Sequence, residues 1–320
     1  MTPKNYFELI GVFKEIIKRR LGYFKYIFLG VAIVFFGLYV YSARADVWRV
    51  ISSANFTCLI LACLAWVPVH LVSPAFTYMA IRGVGHDFHY VQALDIHASY
   101  IPAKFLPGGV WHSIARATIL HNLGLGRKKI TTVFFLENLM APVVSISFGA
   151  GILLSISEGG LATPLLLLSF SGAIAALFAA SYSLTRVEQI FECNVSPRLY
   201  VDLFLVTTVF WILSSISFLF FLDAFSSDLL GSSWLQVVGV YLYSWGVGFL
   251  AIFAPQGVGV FEVVAANLLN SNFPIQGLIV VLVLFRLVTA LADLLFWLIW
   301  LFVRKVIRER SAMGRHLLPK

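Results

Sequence analysis

Lys104-Phe105-Leu106-Pro107-Gly108-Gly109-Val110-Trp111-His112-Ser113-Ile114-Ala115-Arg116 sets a proline, two glycines and two cations into a chain that is otherwise almost wholly apolar. A second interrupted stretch, Ala254-Pro255-Gln256-Gly257-Val258-Gly259-Val260-Phe261-Glu262, repeats that grammar near the other end. In a hydrocarbon layer every backbone amide must find a partner, so helix-breaking residues persist at membrane depth only where protein or a wet cavity covers them. Two such breaks imply a pathway or pocket between packed helices.

Of the 320 residues, 60% are hydrophobic and 12% charged, with a mean hydropathy of +0.91, far from soluble domains. The fold class is therefore all-α, a polytopic integral membrane helix bundle. The net charge of +8 does not point to nucleic acid. Its cations lie mainly at the two ends and in short loops, where they read as cytoplasmic anchors. Cys58, Cys63 and Cys193 form no disulfide framework and show no metal-ligand spacing. Neither a metal nor a cofactor is expected, and His86, His89, His97, His112 and His121, five of the seven histidines, lack partners at a zinc spacing. Ala43-Arg44-Ala45 mimics a signal-peptidase site, but the run Phe24 to Tyr41 exceeds a signal h-region and is expected to be a retained helix.

Working outward from the breaks, a basic segment over 1–22 precedes the span at Phe24 to Tyr41, and a second span runs from Phe56 to Ala80, kinked by Pro68 and Pro74. Tyr90 to His121 is amphipathic and interrupted at Pro102 to Gly109, each half too short for a core of ~30 Å, so a re-entrant hairpin is expected. Arg127, Lys128 and Lys129 mark the cytoplasmic side again. Further spans follow at Ile130 to Ile156, Leu161 to Leu184, Leu199 to Leu222, Trp234 to Phe253 and Ile275 to Val303, with an interfacial helix over Thr185 to Arg198. Basic clusters at both ends place both termini in the cytoplasm, so the crossings must be even in number. Gly259 to Asn270, the second broken helix, is then expected to supply the last of about eight crossings, although a dozen helical residues cover only ~18 Å. One transmembrane domain over 23–303, followed by a basic tail over 304–320, accounts for the chain, and the plasma membrane is its expected location.

Lys104 and Arg116 flank Pro107-Gly108-Gly109 and Trp111, where tight backbone turns, free helix amides and two cations suit a phosphate. The structural alternative is a hairpin whose glycines allow close helix approach and whose cations reach toward the interface. Arg286 lies deep in the last span, and a lone charge there costs at least ~2.5 kcal/mol. It requires an acid, for which Glu262, beyond Pro255, Gly257 and Gly259, is the first choice. Such a pair could equally be a structural one that sets helix register. Asp293, seven residues after Arg286, extends the polar stripe by two turns. Glu137 is a third buried charge, with Arg116 or Lys104 as partner. Arg116, Glu137, Glu262 and Arg286 are expected to share one polar cavity wall.

Together, Pro107 to Trp111 with Arg116, the span carrying Glu137, the break Pro255 to Glu262, and Phe285-Arg286 resemble the membrane region of lysylphosphatidylglycerol synthases, a family that includes stand-alone membrane proteins. The likeness covers roughly Phe56 to Val303 and rests on the paired broken motifs in order. It implies a flippase-like domain that translocates or presents an anionic or isoprenoid-linked lipid. In that family an arginine commonly stands where this chain has Asn138, and another where it has Phe261, so the head group is expected to differ. The aminoacyl-transferring domain has no counterpart, so lysine transfer is not expected and the chain reads as a lipid handler more than an enzyme. The alternative is a membrane-embedded transferase, or an accessory subunit with a transferase partner, acting on a polyprenyl-phosphate-linked glycan or lipid with Asp95, Glu137 or Glu262 as base. A scaffold that recruits a soluble enzyme through its basic face is a third reading.

Overall fold

The computed structural model describes residues 54–105, 111–157, 196–225, 233–251, 254–269 and 275–316, together with positions 48 and 52. The expected spans at Phe24 to Tyr41 and Leu161 to Leu184, the basic segment over 1–22, and Pro107, Gly108 and Gly109 lie outside the described residues. All the described elements are helical: α1 (Phe56–Trp66), α2 (Val69–Gly83), α3 (Tyr90–Tyr100), a 3-10 turn (Ile101–Phe105), α4 (Trp111–Asn122), α5 (Arg127–Ser157), α6 (Pro197–Asp223), α7 (Trp234–Leu250), a second 3-10 turn (Pro255–Gly257), α8 (Val260–Leu268) and α9 (Ile275–His316). Among the described residues four segments, Phe56–Gly83, Arg127–Ile156, Arg198–Asp223 and Ile275–Val306, are long and apolar enough to cross a membrane. The last helix does not stop at Val303; it continues through the basic residues to His316.

Local chemistry sets the boundaries. Asn55 Oδ1 accepts from the Thr57 amide at 3.0 Å to cap α1, and Ser196 and Ser233 accept from Leu199 and Gln236 amides at the starts of α6 and α7, satisfying donors that a helix start leaves open. Pro68 supplies no amide, and the helical path from Phe56 to Gly83 divides there into α1 and α2. The division leaves Trp66 and His70 on either side of the kink.

Helix directions follow from the contacts. A Cβ on Gly149 of α5 would come within 2.4 Å of the Tyr243 amide nitrogen of α7, and one on Gly246 would meet Ile146. Residue numbers rise along α5 as they fall along α7, so the two pack antiparallel at a separation that only a missing side chain permits. The start of α7 therefore lies at the opposite face of the bundle from Arg127.

The two interrupted stretches lie between short helices, the first between α3 and α4 and the second between α7 and α8. The α3–α4 hairpin begins and ends in one place, since Lys129 Nζ donates to Gly85 O at 3.2 Å and Gly124 lies against His86. Along α9, Arg304 meets Asp95 of α3 at 3.2 Å while Lys104 meets Asp293. Those two positions on α9 are separated by ~16 Å of helical rise, so the tip reaches well below its base. The α7–α8 hairpin comes from the other face and returns to it, with Gln236 Nε2 near the start of α7 donating to Leu268 O at the end of α8, 3.3 Å. The sequence expectation of an eighth crossing over Gly259 to Asn270 is corrected here: α8 has 9 residues, a rise of ~14 Å, which cannot span a core of ~30 Å.

Aromatic side chains fill the space behind the α7–α8 hairpin. Phe218 stacks on Tyr241 at 4.8 Å and meets Phe285 edge-on at 5.0 Å, and Trp211 packs against Trp245 at 4.6 Å. The outer face of α9 carries Leu287, Leu291, Leu294, Leu298 and Phe302 at helical spacing, all exposed. An apolar stripe of that length suits lipid and not water.

Candidate functional site

The two hairpin tips touch. Gln256 Nε2 donates to the Lys104 carbonyl at 2.7 Å, tying the second break to the first across 152 residues of chain. Gln256 holds φ +54°, the left-handed region, which costs a non-glycine residue about 1–2 kcal/mol. Its neighbour Gly257, at φ +67°, lies so close to Gly248 that an added Cβ would sit 2.8 Å from that backbone. The strained turn is thus pressed against α7 with its amide side chain aimed at the other break.

A cavity of about 370 Å³ lies at this junction. Its lining combines aromatic rings, among them Trp66, Tyr241 and Phe285, with the polar side chains His70, His97, Lys104, Gln256, Arg286 and Asp293. This is the size range of small-ligand pockets, whose walls are apolar with a few convergent polar groups.

Two ion networks meet in it. In the first, Glu262 is fully buried; its Oε2 accepts from the Gly259 amide at 2.7 Å, and its Oε1 accepts from Arg286 Nε. Arg286 also donates from NH1 to Gln256 O at 3.2 Å and lies over the Phe261 ring at 5.7 Å. Its side chain keeps 28% exposure, so the guanidinium is anchored on one side and open to the cavity on the other. In the second, Asp293 is also fully buried. Its Oδ2 meets Lys104 Nζ, and its Oδ1 meets Trp66 Nε1 at 3.1 Å and His70 Nε2 at 2.9 Å. His70 Nδ1 in turn lies 3.1 Å from His97 Nε2.

Arg116 and Glu137 form a separate pair away from this cavity. Arg116 NH2 donates to Glu137 Oε1 at 2.7 Å and to Thr77 Oγ1 at 3.0 Å, and that hydroxyl donates to the same carboxylate oxygen at 2.7 Å. The guanidinium stacks over Phe134 at 5.2 Å. The expectation of one shared wall for Arg116, Glu137, Glu262 and Arg286 therefore gives way to two separate pairs, because Thr77 on α2 draws the Arg116 pair to the α2–α4–α5 contact. Trp111 opens α4, and Pro255 opens the second 3-10 turn. Asp95 is held by Arg304 and by Trp300 Nε1 at 3.1 Å.

Reading the sequence missed His70, Trp66, Gln256 and Thr77. Among the described residues no group of three or more His, Cys, Asp or Glu side chains is arranged to hold a metal ion. No protein-family model and no curated protein matches the chain.

Proposed function

We propose that the protein binds an anionic lipid, phospholipid or isoprenoid-linked, and translocates or presents it, lodging the head-group phosphate between Lys104 and Arg286 while the chains leave through the apolar helices. The observation that carries this reading is the junction itself. Two hairpin tips meet at a cavity lined by two cations, Lys104 and Arg286, and by aromatic rings. Arg286 is oriented by Glu262 and presents the rest of its fork to the cavity, as a phosphate clamp requires. The carboxylates Asp95, Glu137 and Glu262 are each bonded to an arginine. That arrangement favours holding a charged group over acid–base work in a transferase. The resemblance to the membrane region of lysylphosphatidylglycerol synthases points the same way. In this reading the α3–α4 hairpin is re-entrant from the cytoplasmic side of the plasma membrane.

Mass spectrometry of lipids retained in native nanodiscs tests the proposal. The wild-type protein is expected to retain a specific anionic lipid, and Arg286→Lys, which keeps a charge for Glu262 but loses the fork, to retain much less. Equal retention of bulk lipid by both proteins would refute it.

A further inference from the structure

His97, His70 and Asp293 follow one another from α3 through α2 to α9 at separations of 3.1 and 2.9 Å, the second a charge-pair distance at which the buried His70 Nε2 makes no aligned hydrogen bond. Ionisable chains inside a membrane domain are characteristic of proton pathways. The titratable and charged groups facing the cavity are His70, His97, Lys104, Tyr241, Arg286 and Asp293, with Glu262 of α8 behind Arg286. Among the described residues, α1 and α6 contribute only Trp66 and Phe210 to the wall.

With both histidines neutral, Lys104 and Arg286 balance Asp293 and Glu262. An anionic head group that draws Lys104 toward itself upsets that balance and leaves Asp293, fully buried, without its cation. A buried unpaired carboxylate is strongly disfavoured. The base that can restore the pairing is His70, whose Nε2 already touches Asp293 Oδ1.

We propose that His70 is a proton-binding site that fills as the anionic head group binds, so that lipid and proton occupy the protein together. A proton delivered to His70 Nδ1, which lies 3.1 Å from His97 Nε2, makes His70 an imidazolium. The resulting imidazolium holds Asp293 through Nε2–H, and the reverse sequence releases the proton when the lipid leaves. No net charge is buried. Lipid binding is thereby coupled to proton uptake. The inference rests on the lipid reading for its physiological partner, but the proton site can be tested without lipid.

Lys104→Met imitates the withdrawal of Lys104, and 15N NMR of histidine-labelled protein in detergent micelles reports the ring protonation state. At neutral pH the variant is expected to show one imidazolium signal absent from wild type and lost again in the Lys104→Met, His70→Gln double variant. In a parallel measurement, wild-type protein is titrated with dioctanoyl phosphatidylglycerol, whose phosphodiester does not itself titrate near neutrality. Its affinity is expected to fall about tenfold per pH unit from mildly acidic pH up to neutrality, where His70 is neutral in the free protein and protonated in the complex, because binding takes up a proton, and to lose that slope in His70→Gln. A neutral His70 in Lys104→Met overturns the proton site, as does a wild-type affinity independent of pH. An imidazolium in Lys104→Met with no binding of the lipid probe supports the proton site and counts against the lipid reading.

Discussion

Glu262 joins two elements through one carboxylate, taking the amide that opens α8 on Oε2 and Arg286 from α9 on Oε1. With 0% exposure it has no water to fall back on. Arg286→Ala is therefore expected to destabilise the protein by ~3–5 kcal/mol, read as a lowered midpoint in thermal unfolding followed by tryptophan fluorescence. Adding Glu262→Gln removes the stranded charge and should recover part of the loss without restoring lipid retention. Arg116→Ala makes an informative contrast. Glu137 keeps the Thr77 hydroxyl and 16% side-chain exposure, so the loss of its charged hydrogen bonds should cost less, ~1.5–3 kcal/mol. An Arg116→Ala protein less stable than Arg286→Ala would show that the burial argument misranks the pairs. Both pairings could be foreseen from the residues, because a cation in an apolar span must find an acid and few acids were on offer. The partners of Asp293 could not be foreseen. His70 lies in an apolar run more than two hundred positions away, one helical turn after Trp66, which meets the same carboxylate oxygen.

At the scale of elements, the junction depends on a turn that works against its own backbone preference. Gln256→Gly relieves the left-handed strain of about 1–2 kcal/mol and gives up a hydrogen bond worth ~1 kcal/mol, so the unfolding midpoint should barely move. The tether to Lys104 is lost, however, and lipid retention should fall; retention at the wild-type level would show that the two breaks act independently. Gly149→Val acts in the opposite manner. Its added carbon would meet the Tyr243 backbone at 2.4 Å, forcing α5 and α7 apart at ~1–3 kcal/mol, a cost the same unfolding measurement would detect. These elements were unequally visible in the sequence. Hydrophobic runs located α5, α6 and the start of α9 to within a few residues, since length and apolarity alone define a crossing, but not the basic continuation of α9 to His316. The short α8 was read as a crossing because composition cannot distinguish a helix that traverses from one that turns back. Only the contact between Gln236 and Leu268, at opposite ends of the α7–α8 segment, settles its direction.

For the whole molecule, the two hairpins enter from opposite faces, and this architecture makes a topological demand. Asp87 and Gly126 lie at the base of the α3–α4 hairpin, and Lys305 lies next to the Arg304 that meets Asp95 of α3; all three are exposed. Ser233, exposed at the start of α7, belongs to the other face because α5 and α7 run antiparallel. The cations at Arg127 to Lys129 and Arg304 to Arg310 favour the cytoplasm for the first face. In a background with Cys58, Cys63 and Cys193 replaced by serine, single cysteines at positions 87, 126 and 305 should react with a membrane-impermeant maleimide only after the cells are opened. A cysteine at position 233 should react in intact cells. The comparison is more discriminating than a terminal reporter, since it tests the hairpin and the last helix against each other. Labelling of 87 and 126 from opposite sides would make the α3–α4 segment a crossing, and the meeting of the two tips at mid-depth would then fail with it.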